Sequence, residues 1–79
     1  MQTSRSPYDG NERTVGFIPK SGFVGETIDA INHIFEGERF SIFQSYGNIC
    51  INYFGFDEKM MLLMLRLGVE LEKRGIANG

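Results

Sequence analysis

The amino-acid sequence predicts an α+β domain of order βαββα, with two helices packed on one face of a three-stranded sheet that is antiparallel or mixed. Three observations carry this. Apolar and small or polar residues alternate in short runs around Val15, Phe40 and Ile49, the period-two pattern of half-buried strands. The spacing changes to the helical period from about Gly25 to Glu36 and again from Glu58 to Arg74. Gly22, Gly37, Gly47 and Gly75, with Pro19, fall between these segments, where turns and helix stops are needed.

A chain of 79 residues has room for one core. Residues 1 to 12 are polar apart from Tyr8, offer little area to offset the entropy of ordering, and are expected to form a flexible tail; residues 13 to 79 form the domain. Arg13 to Ile18 is the first strand. Pro19 then removes a backbone donor, which suits an edge position. Pro19 to Gly22 reads as a turn.

In the first helix Val24, Ile28, Ile31 and Phe35 fall at i, i+4, i+7 and i+11 and define its core face. Glu26 and Asp29 complement the positive end of the helix dipole, and Gly37 ends the helix. Phe40 to Ser45 and Asn48 to Phe54 follow as a hairpin. The pair Gly47-Asn48 suits a tight primed turn. Ile49, Ile51 and Tyr53 share one face with Phe40 and Ile42 across from them, and Cys50, Asn52 and Phe54 share the other.

Asp57 is placed to cap the last helix. At about 100° per residue, Met60, Met61, Met64, Leu67, Gly68 and Leu71 make one broad stripe that covers the sheet. Leu62, Leu65 and Val69 form a second stripe, flanked by Glu58, Arg66, Glu72 and Lys73. A helix apolar on two sides needs two partners.

Composition limits the function. With 8 Lys plus Arg against 10 Asp plus Glu, the net charge of −2 exerts no broad pull on phosphate backbones or anionic lipid. Cys50 is the single cysteine, so an intramolecular disulfide is impossible and a reducing, cytoplasmic setting is expected. The opening residues lack the apolar core of a signal peptide, and the longest apolar run, Met60 to Leu65, is far short of the roughly 20 residues a membrane span requires.

No catalytic, metal or cofactor site is expected. His33 is the one histidine and has no nucleophile or further metal donor beside it in sequence. Cys50 has no Lys, Arg or His within three residues and reads as a small hydrophobe in a strand. Glu36, Glu38, Asp57 and Glu58 stand at element ends, where solvation and helix dipoles explain them.

The segment Val15-Gly16-Phe17-Ile18, Lys20-Ser21-Gly22, Phe23-Val24-Gly25, Glu26-Thr27-Ile28 resembles the glycine loop and following helix of KH domains, which grip single-stranded nucleic acid with a GxxG loop. The resemblance covers about residues 15 to 54. It implies nucleic-acid contacts at Lys20, Gly22 and Gly25. Between the glycines stand Phe23 and Val24, where phosphate-binding loops carry Lys or Arg.

The leading expectation is a non-enzymatic interaction domain that binds a protein partner, including a second copy as a homodimer, and acts by occlusion or bridging. Its contact residues are Leu62, Leu65 and Val69 on the last helix, or Phe43, Tyr46 and Phe54 on an aromatic sheet face. In size and mild acidity the chain is similar to virus-encoded inhibitors of host complexes such as anti-CRISPR proteins. That similarity implies phosphate mimicry by Asp9, Glu12, Glu36, Glu38, Asp57 and Glu58.

Overall fold

The structure is a computed structural model that describes residues 12–77. Residues 1–11, most of the expected tail, lie outside the described residues, while Glu12 already opens the first strand. The elements are β1 (Glu12–Phe17), α1 (Val24–Ile34), β2 (Phe40–Ser45), β3 (Asn48–Phe54) and α2 (Asp57–Lys73).

The sheet is antiparallel with strand order β1-β3-β2. The central strand is therefore β3, the most apolar of the three, and its Ile49, Ile51 and Tyr53 are buried between two neighbours. Ile51 stands opposite Val15 on one side and Ile42 on the other; Tyr53 stands opposite Phe40. Both helices cover this face. Ala30, Ile31 and Ile34 of α1 and Met60, Leu63 and Leu67 of α2 complete the core, joined by Phe35 and Ile76 just beyond the helix ends.

Several local expectations shift by a residue or two. The first helix ends at Ile34 rather than Glu36, because Phe35 leaves helical geometry as the C-cap to enter the core. Its buried line runs through Thr27, Ala30, Ile31 and Ile34, so Val24 and Ile28 sit at the margin. Thr27 is tolerated inside because its hydroxyl donates to the Phe23 carbonyl at 2.7 Å. Asp57 is not the N-cap of α2. That position is Phe56, and Asp57 is the first helical residue, its carboxylate drawn to Arg13 instead of to the helix amides.

The hairpin turn is centred on Tyr46-Gly47, one residue earlier than the expected Gly47-Asn48, with Ser45 and Asn48 as the closing pair. Both central residues have positive φ, 51° and 83°, as a two-residue primed turn demands. Gly75, at φ 74°, ends α2: its amide bonds the Glu72 carbonyl and the Ile76 amide bonds that of Leu71. This reversal returns buried Ile76 to the core.

On α2 the division between stripes differs from the sequence expectation. Spacing puts Met61 and Gly68 in the core stripe, yet Met61 is 66% exposed and Gly68 faces open space. The core line is set by Leu63 and Leu67. Met61 and Leu65 each stand about 160° around the helix from Leu63, so neither can reach the sheet.

Candidate protein-interaction surface

The outward face of α2 carries Met61, Leu62, Leu65 and Val69, which are 66%, 50%, 69% and 60% exposed. Their placement follows from the helical repeat. With Leu63 and Leu67 buried in the core cluster that includes Ile49 and Ile51, residues two positions away point to the far side of the cylinder. No rotation of the helix hides both sets. The three expected residues Leu62, Leu65 and Val69 are thus brought together, and Met61 joins them; its distance of two residues from Leu63 is the signal that could have placed it.

The band leans over a cleft between α2 and β1. One part, of about 630 Å³, is lined by Val15, Met60, Met61, Met64 and Leu65 and closed at one end by Arg13 and Asp57. A second part, of about 550 Å³, continues along Phe17, Met64, Leu65, Gly68 and Val69. Beside the Phe17 ring the apolar walls are thioether and aliphatic, a soft lining that adapts to irregular apolar shapes.

Arg13 Nε donates to Asp57 Oδ1 at 2.5 Å and ties the start of β1 to the start of α2 across the cleft. This hydrogen bond, more than Coulomb attraction, holds the Asp57 carboxyl below its ordinary value, and it raises that of Arg13. The folded form therefore favours the ionised carboxylate. Its contribution to stability is present above the unfolded value near 3.8 and is lost as pH falls through the lower folded value. In acid titrations of the melting temperature, Asp57→Asn is expected to flatten the drop below about pH 4; superimposable acid limbs would show that the pair carries no linkage.

Near the same end of α2, Lys59 Nζ lies 3.1 Å from Glu38 Oε2, and the Tyr53 hydroxyl donates to Glu38 Oε1 at 3.2 Å. Glu38 and Asp57 are thus tied to cations of the same chain, which weakens their case as phosphate mimics; Asp9 lies outside the described residues. Arg74 pairs with Glu70 at 2.8 Å, a hydrogen bond that lowers the Glu70 carboxyl.

The expected aromatic face is dispersed. Phe43 and Phe54 do share the sheet face away from the helices, but Phe43 stands in the row of Cys50 and Gly16, while Phe54 stands opposite Glu12. Four residues of β3 separate those rows, about 13 Å. Between them runs a polar row, where the Thr14 hydroxyl donates to the Asn52 side-chain carbonyl opposite Ser41. Tyr46 is at the hairpin tip, fully exposed and in the left-handed region that costs a side chain energy. Phe43, Tyr46 and Phe54 do not form one patch.

The glycine segment is a turn followed by a helix start. The Phe23 amide bonds the Lys20 carbonyl at 3.0 Å, Gly22 takes φ 86°, and Gly25 already lies within α1. This loop links a strand to a helix, whereas KH domains carry theirs between two helices. Lys20 is engaged internally: its ammonium bonds the Gly75 carbonyl at 3.3 Å and lies 5.5 Å from the centroid of the Phe23 ring.

His33 is exposed on α1, and Cys50 is half-buried on the open sheet face beside Gly16. Among the described residues no three His, Cys, Asp or Glu side chains are grouped to hold a metal ion, and no helix is long and apolar enough to cross a membrane. Comparison with protein-family models, curated proteins and solved structures yields no significant match.

Proposed function

We propose that the protein is a non-enzymatic interaction domain whose α2 band and adjoining cleft receive a protein partner, and that it acts by occlusion or bridging. The observation that carries this reading is the position of Met61, Leu62, Leu65 and Val69 on the side of α2 away from its core line. Contiguous apolar area of this kind is costly to leave in water, and the packing of the described residues leaves it uncovered. The depletion of charge at the centre of the band, with Glu58, Arg66, Glu72 and Lys73 around it, is the usual anatomy of a contact patch.

Tyr46 supports bridging rather than simple occlusion. A fully exposed aromatic at positive φ, where Asn or Gly would rest without strain, offers a second contact point at the hairpin tip. A cytoplasmic inhibitor of viral origin is one form such a domain takes; small size and net charge of −2 are its support.

A photo-crosslinking residue installed at Val69, with one at exposed Asp29 of α1 as control, tests the reading in cells of the source. Irradiation is expected to give protein adducts from position 69 and few from position 29. Equal and negligible yields at both would overturn it.

A further inference from the structure

We propose that this face receives a second copy of the chain, docked about a two-fold axis between two β1 strands, so that the two sheets join as one of six strands. The inference rests on the interaction-domain reading and names its partner. Three observations on different elements converge on it.

The first is the edge. In the order β1-β3-β2, β1 has a strand neighbour on one side only among the described residues. The backbone from Thr14 to Phe17 therefore presents donors and acceptors outward, and what satisfies such an edge is another extended strand. A strand pairing antiparallel with its own copy meets this need on both subunits at once, as a closed two-fold contact must.

The second is area. Fully burying one aliphatic side chain removes roughly 60–120 Å² of apolar surface from water. Met61 and Leu65, about two-thirds exposed and on the side of α2 nearest β1, then supply roughly 80–160 Å². A stable interface buries about 800 Å² per partner, and homodimer contacts are about 65% apolar, so about 500 Å² is needed. Packing α2 on α2 alone falls well short of this, so the contact has to extend to β1. Exposed Ile18 just past the end of β1 and the partly buried cleft walls at Val15, Phe17 and Met64 add to that area.

The third is the helix. A two-fold axis between β1 strands sets α2 and its copy antiparallel, with the Met61, Met64 and Gly68 side of each toward the other. Gly68 lies in the middle of a 17-residue helix, where glycine is a poor choice, and a Cβ there would meet nothing within 4 Å. Nothing among the described residues requires it. A second helix approaching closely does. The antiparallel arrangement also brings Glu58 in the acidic first turn toward Lys73 in the basic last turn of the copy, where a parallel one would oppose like charges.

Sedimentation velocity of the purified full chain at tens of micromolar tests this. The expected species has twice the 9.0 kDa chain mass. Leu65→Glu and Gly68→Leu, both at open surface positions, are expected to give monomers with unchanged far-ultraviolet circular dichroism. Alternate amides between Thr14 and Phe17 should exchange slowly in the dimer and at least tenfold faster in Leu65→Glu. A wild-type monomer overturns the proposal, as does a dimer indifferent to both substitutions, or one whose β1 amides are unprotected. A monomer that still crosslinks to another protein through position 69 leaves the interaction-domain reading standing and removes only the second copy; an extended peptide or a foreign helix then fills the cleft.

Discussion

Phe35→Ala is expected to leave a large fraction of the chain unfolded at room temperature. Phe35 is fully buried at the residue where α1 gives way to the loop before β2. Its ring centroid lies 5.3 Å from that of Phe40 and 6.0 Å from that of Tyr53, the latter edge-on, so one side chain joins α1 to both strands of the hairpin. Truncating such a ring costs about 3–5 kcal/mol through lost transfer energy and the cavity left behind. A domain of this size rarely has more than about 3–5 kcal/mol in total. Loss and reserve are of one size. Phe43→Ala is the contrast: at 44% exposure on the open sheet face it should shift a denaturant midpoint only slightly. Should Phe35→Ala keep the wild-type midpoint, the core does not run through this ring.

The second large effect is at Gly55, in the two-residue connection between β3 and α2. A Cβ built there would lie 2.5 Å from the Tyr53 hydroxyl and 2.6 Å from its ring carbons. Tyr53 has little room to give way. It is 2% exposed, its ring meets Phe35, and its hydroxyl donates to Glu38. Gly55→Ala is therefore expected to destabilise by about 1–3 kcal/mol, the range for overpacking a filled core. The same change at Gly68, where nothing lies within 4 Å, should raise the monomer's stability by up to about 1 kcal/mol. Urea titration of the two variants side by side reads both signs. Equal midpoints would mean that the Tyr53 ring moves aside freely.

Sequence periodicity alone determined the order βαββα, the inward face of β3 and the pairing of Ile42 and Phe40 with that face. These are properties of neighbours along the chain, where a period of two or of 3.6 residues decides which side chains share a face. The same reasoning set Leu62, Leu65 and Val69 apart from the core, and their exposure agrees. It misplaced Met61 and Gly68, because an apolar stripe gives the directions on a helix but not which of them turns toward the sheet. That choice is made by the core that Leu63 and Leu67 join, which includes Ile49 and Ile51 of another element.

Tertiary structure alone decided that β1 pairs with β3, that Asp57 bonds Arg13 instead of capping its own helix, and that Gly55 makes way for Tyr53. The dispersal of Phe43, Tyr46 and Phe54 belongs here too, since strand register sets their separation. Each depends on contacts between residues brought together by packing, and the free energy that selects among such contacts is a sum over the whole interior. No local pattern contains it.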